Sequence, residues 1–252
     1  MTRSLELDSV RYAYPGRSDV MLDVVQGVSL HIAPGAFHCL IGRSGCGKTT
    51  LLKLAAGLLQ PQAGVIALQG VPVAGPNPDM GFVFQAPTLL DWFTVLDNVL
   101  LPITLHGKVE TSQHEQAIEL LQKLGLNGLQ SRYPQQLSGG QQSRVAIARA
   151  LISTPPILFM DEPFASLDAI TRSELQQDFL ALCQSQGTSV LFITHDIAEA
   201  VYLADHVSVM QSGTICHHLA VDLPHPRQPA VRYTADFNAR CAQLRLAMDG
   251  NL

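Results

Sequence analysis

No run of eighteen apolar residues occurs in the 252-residue chain, so no segment is expected to span a bilayer by itself. The opening Met1-Thr2-Arg3-Ser4-Leu5-Glu6 has one basic side chain and no apolar core, which excludes a secretory signal from the reading. Cysteine is sparse: Cys39, Cys46, Cys183, Cys216 and Cys241 are odd in number and far apart. That pattern argues against a disulfide framework or a zinc cluster and suits a reducing cytosol. Basic excess is missing too. With a net charge of −5, a general nucleic-acid binder, which needs a basic face, is not expected. Repeats and low-complexity tracts are also absent. Apolar residues are plentiful at 47%, enough for one large α/β domain or two small ones.

Short apolar, β-branched runs at 37–41, 81–84, 157–161, 189–193 and 207–210 read as buried strands. Helical stretches between them point to an α/β fold with a largely parallel sheet covered on both faces. The runs 5–10, 28–32 and 65–68 alternate in the manner of antiparallel strands. Ser112-Gln113-His114-Glu115 fits the S-x-x-E capping box, and Ile118, Leu121 and Leu124 follow at helical spacing. A helix is therefore expected from about Ser112 to Leu124. After Leu219 the composition changes to Pro224, Pro226 and Pro229 with Arg227 and Arg232, ahead of a short helical tail. His217-His218 has no Cys or third His nearby and reads as a solvated strand or turn pair.

Gly42-Arg43-Ser44-Gly45-Cys46-Gly47-Lys48-Thr49 fits the phosphate-binding pattern G-x-x-x-x-G-K-[ST]. An apolar strand leads into it, and 48–58 reads as the helix that follows. Glycines let the backbone curl so that several N–H groups face phosphate oxygens, and the helix N-terminus adds partial positive charge. In this pattern Lys48 reaches the β- and γ-phosphates, and the Thr49 hydroxyl sits on Mg²⁺. Cys46, beside Lys48 and the helix start, is in a setting that favours thiolate. Ile157-Leu158-Phe159-Met160-Asp161-Glu162-Pro163 is an apolar strand ending in two carboxylates, and open α/β sheets gather ligands at such ends. Asp161 suits Mg²⁺ held largely through water. Glu162 is the candidate to orient or deprotonate an attacking water, since phosphoryl transfer needs positioning and charge neutralisation.

Leu137-Ser138-Gly139-Gly140-Gln141 arises by chance in only a few of ten thousand chains of this length, against roughly one in a hundred for the glycine loop. Their joint presence is not coincidence. The two strings together resemble the nucleotide-binding subunit of an ATP-binding-cassette (ABC) transporter, and the resemblance covers nearly the whole chain. It implies a P-loop NTPase fold, an ABC nucleotide-binding domain over residues 1–220. That domain would carry an antiparallel β-subdomain near the adenine and a helical signature subdomain at about 86–153. Residues 221–252 would be a C-terminal tail with no regulatory domain. Gln85, after Val83-Phe84, resembles the Mg²⁺ and water contact, and Asp168, in Ser166-Leu167-Asp168-Ala169, the loop touching the other subunit. His195, in Ile193-Thr194-His195-Asp196, is similar to the switch histidine on the γ-phosphate, and Tyr14 or Tyr12 to the aromatic stacked on adenine. The implied catalytic set is Lys48, Gln85, Glu162 and His195, and the implied Mg²⁺ set is Thr49, Gln85 and Asp161. ATP would be bound by Tyr14, by Gly42, Arg43, Ser44, Gly45, Cys46, Gly47, Lys48, Thr49 and Thr50, and by Ser138, Gly139, Gly140, Gln141 and Asp168. One departure stands out. The family signature is often followed by Arg-Gln-Arg, and here Gln142-Ser143-Arg144 keeps only the last charge.

Two copies are expected to face head to tail around two ATP molecules, the signature of each closing on the nucleotide of the other. The resemblance also implies two integral membrane permease subunits, a separate periplasmic or lipoprotein solute-binding protein, and no nucleic acid. The subunit would sit peripherally on the cytoplasmic face of the inner membrane. Gly75-Pro76-Asn77-Pro78-Asp79, Thr94-Val95-Leu96-Asp97-Asn98-Val99 and Leu223-Pro224-His225-Pro226-Arg227 resemble bacterial importers of the nitrate/sulfonate/taurine group. The same role in a thiamine-precursor pyrimidine importer is the alternative. A soluble ABC-type ATPase acting on DNA or the ribosome would need coiled coils or a second cassette, and a nucleotide kinase leaves the signature without a purpose. The stretch from Gln85 to Phe93 holds the only tryptophan. Leu89, Leu90, Trp92 and Phe93 there either pack into the domain or line a groove for a helix of the membrane subunit.

Overall fold

Alternating buried and exposed side chains build the first sheet of the computed structural model, which describes residues 4–16, 21–165 and 167–250. Met1 to Arg3 of the opening read above, and Ser166 ahead of Asp168, lie outside the described residues. Strands β1 (Leu5–Pro15) and β2 (Met21–Ile32) pair antiparallel, with Leu5 opposite Ile32, Leu7 opposite Leu30 and Val10 opposite Val28. All six side chains are buried. Both strands outrun the alternating segments read from the sequence, where register shifts at Val10/Arg11 and Tyr12/Ala13 break the alternation, and Ser9 at φ +51° adds a shift between Leu7 and Val10. The bulge puts Leu7 and Val10 on the buried side although they are three apart, so a period of two breaks there. Strand β3 (Phe37–Ile41) leads to helix α1 (Lys48–Ala55), followed by β4 (Ala63–Leu68) and β5 (Val71–Pro72). The sheet order is β2-β1-β4-β5. Helix α1 is shorter than the expected 48–58, since Gly57 at φ +71° ends it.

Next come β6 (Met80–Val83), α2 (Val95–Thr104), α3 (Thr111–Lys123), α4 (Gly139–Leu151), β7 (Ile157–Asp161) and α5 (Ala169–Gln186). The chain ends with β8 (Ser189–Ile193), α6 (Ile197–Leu203), β9 (His206–Gln211), β10 (Thr214–Ala220) and α7 (Ala235–Met248). Two compact units result, Met1–Asn77 with Ser189–Leu252, and Pro78–Thr188. No helix among the described residues is long and apolar enough to cross a membrane.

In the first unit β3 lies between β8 and β9, parallel to both, and β10 returns antiparallel along β9. Every residue of β3 and β8 is buried, which is why they appear in the sequence as near-continuous apolar runs. Ser189 opens β8, and the other polar residue of the two strands is His38. It is buried within β3, and its Nε2 lies 2.7 Å from the Ser208 hydroxyl, which also meets His218 Nδ1 at 2.8 Å. His218 is exposed on β10, the solvated strand residue expected, and this hydrogen bond ties it to the sheet. Burial, then His206, His218 and His31, push the His38 pKa down to about 3. A folded pKa below the unfolded value near 6.5 means that the unfolded chain takes the proton first. Stability is then complete above that unfolded value and falls as the pH drops towards about 3, at about 1.4 kcal/mol per pH unit. Urea midpoints should fall between pH 7.5 and 5.5, and His38→Gln should flatten that dependence. Parallel pH curves for wild type and variant would show that His38 is not the cause.

In the second unit β6 and β7 run parallel, Met80 beside Ile157 and Val83 beside Met160. Helix α3 begins one residue earlier than expected and is capped differently. The backbone N–H of Glu110 donates to Gln113 Oε1 at 2.9 Å, so Gln113, rather than Glu115, reaches back over the first turn. Its buried face is Ala117, Leu120 and Leu121, continued by Leu124, while Ile118 is at the surface. Asn98, fully buried on α2, folds the preceding loop. Its side chain accepts from Leu90 N at 2.8 Å and donates to the carbonyls of Leu90, Phe93 and Thr94.

Candidate functional site

The glycine loop joins the buried end of β3 to the start of α1. Gly47 has φ +106°, and a Cβ there would lie 2.4 Å from the Val24 carbonyl oxygen, so only glycine fits the turn. Lys48 is buried and folds back over the loop. Its Nζ donates to the carbonyls of Gly42 at 2.8 Å and Arg43 at 3.0 Å. The loop thus holds its cation where phosphate oxygens would enter, while Arg43, Ser44, Gly45 and Thr49 are exposed and Thr50 is buried. Cys46 is buried, with its thiol 3.7 Å from Lys48 Nζ. One neighbour was invisible in the sequence. The end of α7 reaches this loop, where Asp249 pairs with Arg43 at 3.4 Å and Met248 lines a cavity of about 330 Å³ with Gly42 to Cys46. A contact across 206 positions leaves no local signal.

Tyr12 and Tyr14 project from the same face of β1, edge to face with centroids 4.9 Å apart, and both are half-buried. They form one aromatic surface, so the geometry keeps both as candidates. His195 is exposed just beyond the C-terminal end of β8. Asp196 beside it caps α6, accepting from the N–H groups of Ala198 and Glu199 at 2.8 and 3.2 Å.

In the second unit four buried residues of β7 deliver Asp161 and Glu162 to a half-exposed position. Glu162 sits at φ +46°, a left-handed conformation that costs a non-glycine residue about 1–2 kcal/mol. Strain of this kind is often kept where a side chain must be aimed. Gln85 is exposed two residues after β6. Thr49 in the first unit, and Gln85 and Asp161 in the second, are each oxygen donors of the hard type that Mg²⁺ takes.

Ser138 is the N-cap of α4. Its hydroxyl accepts from Gln141 N at 3.3 Å, and its own N–H donates to Gln141 Oε1 at 2.9 Å. The signature is thus a reciprocal capping box at an exposed helix N-terminus, a natural seat for an anion. Gln142, where family members often carry arginine, donates to the carbonyls of Pro134 at 3.0 Å and Leu137 at 3.4 Å and braces the loop before it. Asp168 caps α5 through the N–H groups of Ile170 and Thr171. Hydrogen bonds from Thr171 hold its carboxyl below the usual carboxylate range.

The loop from Gln85 to Phe93 borders a groove of about 620 Å³ that Phe82, Phe84, Leu90, Leu101 and Leu105 help to line. Arg149 fixes one wall by donating to the carbonyls of Pro87 and Thr88 at 3.0 and 2.9 Å. Of the four side chains singled out in the sequence, Leu90 lines the groove. Leu89 and Phe93 are half-buried, and Trp92, 71% exposed, lies outside the lining with its ring edge-on to Phe93.

The family described as ABC transporter matches residues 25–165. The chain is 42% identical over 235 residues to the nitrate import ATP-binding protein NrtC of Synechococcus elongatus, covering 90% of this chain. It spans only 35% of that relative's length. It is 45% identical over 210 residues to the taurine import ATP-binding protein TauB of Chromobacterium violaceum, covering 83% of this chain and 79% of that protein. Among solved structures, the dimeric post-hydrolysis state of the ATP-binding cassette MJ0796 bound to ADP and Pi superposes with a TM-score of 0.78 at 30% identity. The match covers 87% of this chain and all of that one.

Proposed function

The chain belongs to the ABC transporter family and hydrolyses ATP, and from that premise we propose that it powers a bacterial importer of nitrate-, sulfonate- or taurine-type solutes. One observation carries the reading: a glycine loop closed by Lys48 and an exposed, Ser138-capped signature helix stand in one chain. The relatives' names favour small anionic or zwitterionic solutes over a thiamine-precursor pyrimidine. The dimeric cassette it resembles supports pairing of two copies.

In this reading Lys48 exchanges its loop carbonyls for the β- and γ-phosphate oxygens, and the loop N–H groups from Gly42 to Thr50 complete the cradle. Ser138, Gly139, Gly140 and Gln141 present a second set of donors to the ATP held by the partner copy, with Asp168 shaping the subunit contact. Glu162 orients or deprotonates the water, His195 contacts the γ-phosphate, and Tyr14 or Tyr12 stacks on adenine. Mg²⁺ held by Thr49, Asp161 and Gln85 would neutralise charge developing on the phosphates. Residues 1–220 are the ATPase domain in this reading, with 86–153 as the helical signature subdomain and 221–252 as the tail. The subunit lies on the cytoplasmic face of the inner membrane, bound to two permease subunits served by a separate solute-binding protein. No nucleic acid takes part.

The groove beside Leu90 is where a short permease helix would dock. Truncating an anchor in such a groove costs ~2 kcal/mol, about thirtyfold in affinity. Leu90→Ala should fold and bind ATP normally while losing its membrane partners in co-purification from detergent-solubilised membranes. Trp92→Ala, exposed and outside the lining, should lose less. If Leu90→Ala retains the partners at wild-type yield, the docking surface lies elsewhere.

A further inference from the structure

Arg144 keeps the one charge that follows the signature, and its surroundings give it a task that the sequence does not disclose. Its side chain is only 11% exposed. Nη1 donates to the Leu124 carbonyl at 2.9 Å and to Asp178 Oδ2 at 3.2 Å, and Nη2 lies 3.6 Å from Glu174 Oε2. Leu124 ends α3, where unpaired carbonyls and the helix dipole favour a cation. Glu174 and Asp178 are four apart on α5 and so share one face. Gly125 leaves room for the fork, because a Cβ at its φ of +68° would come within 3.2 Å of Nη1.

A second contact lies at the helix starts. A Cβ on Gly140 would meet Thr171 Cγ2 at 3.0 Å and Leu167 Cδ2 at 3.5 Å, so the first turns of α4 and α5 touch. A polar cleft of about 530 Å³ adjoins the two helices, lined by Gln141, Arg144, Thr171, Glu174, Gln177 and Asp178 among others. Helix α4 packs mainly on α2 and β6, and the Gly140 contact gives it one hold on α5. Arg144 supplies the second point, and a planar fork with five donors can serve a carbonyl and two carboxylates at once. Ser143 cannot share the task, since its hydroxyl bonds back to the Gly139 carbonyl at 3.1 Å.

We propose that Arg144 is a positioning residue that locks the signature helix to α5 and to the end of α3, so that the Ser138 and Asp168 caps move as one body when two copies close on ATP. The proposal rests on the reading that Ser138 to Gln141 close on the partner's nucleotide, and the test separates the two. The parent is the Glu162→Gln full-length protein, titrated with ATP and followed by size-exclusion chromatography. Adding Arg144→Ala should raise the ATP concentration for half-maximal dimerisation about tenfold, while a fluorescent ATP analogue binds the monomer unchanged. Arg144→Lys should fall between. Asp178→Asn should weaken dimerisation more than Glu174→Gln, whose carboxylate is farther away and more exposed. A role in stability alone would lower the melting temperature without moving the ATP midpoint of the folded fraction. Should Arg144→Ala fail to fold, Asp178→Asn carries the test. Wild-type ATP midpoints for the variants that fold, in a parent that dimerises, overturn the clamp alone. A parent that never dimerises overturns the signature reading and the clamp with it.

Discussion

Glu162→Gln should bind ATP as the unaltered protein does and hydrolyse it roughly a hundredfold more slowly or worse, the range spanned by loss of a positioned general base. Glutamine keeps the shape and removes the charge that would orient or take a proton from water. The fold should survive, because a left-handed backbone costs Gln about as much as Glu and the buried body of β7 is untouched. With hydrolysis blocked, ATP should remain as a bridge between glycine loop and signature, and a stable dimer should appear in size-exclusion chromatography with ATP but not with ADP. Phosphate release and elution volume together decide the matter. Turnover near wild type would remove Glu162 from the role of base.

Residues that meet nearby partners were legible in the sequence. The strands β3, β7 and β8 carry the expected bounds, because burial on both faces keeps such strands largely apolar. The glycine loop was legible for a different reason: its turn needs glycine at fixed spacing, as Gly42, Gly45 and Gly47 with positive φ show. Features set by distant partners were not. The bulge at Ser9 shows itself only through its pairing with β2, and Asn98 reads as one polar residue in an apolar helix until the loop it folds is seen. Arg144 has partners 20, 30 and 34 positions away, which no local pattern joins. The placement of α3 failed for a smaller reason. Gln113 can reach back to an N-cap as well as Glu115 can, and the chain takes the earlier of the two.

The tail shows how much a change of composition can conceal. Pro224, Pro226 and Pro229 suggest an irregular segment, yet Arg227 between them is buried with its side chain wholly inaccessible. Its guanidinium donates to the carbonyls of Val201, Tyr202 and Ala204, which end α6, and to that of Val221, and it lies 3.5 Å from Asp205. The Tyr202 hydroxyl donates to the Arg227 carbonyl at 3.4 Å, and Arg232 stacks 3.8 Å above the Tyr202 ring. Burial lowers the Arg227 pKa, and the Asp205 carboxylate opposes that shift. One side chain therefore closes the last turn of α6, the helix that starts just after His195. Arg227→Ala would leave the carbonyls of Val201, Tyr202 and Ala204 short of a donor and Asp205 without its closest buried cation, while Val221 keeps the Leu223 N–H. Breaking a buried charge pair in this way costs about 3–5 kcal/mol. For a chain of this size each kcal/mol moves the melting temperature by about 2–4 °C, so a fall of roughly 6–20 °C is expected. Arg227→Lys should recover part of it, since one ammonium cannot reach all these acceptors. Thermal melts followed by far-ultraviolet circular dichroism measure the effect. A shift below about 2 °C for Arg227→Ala would mean that water replaces the guanidinium, and that the tail can detach without loosening the helix behind His195.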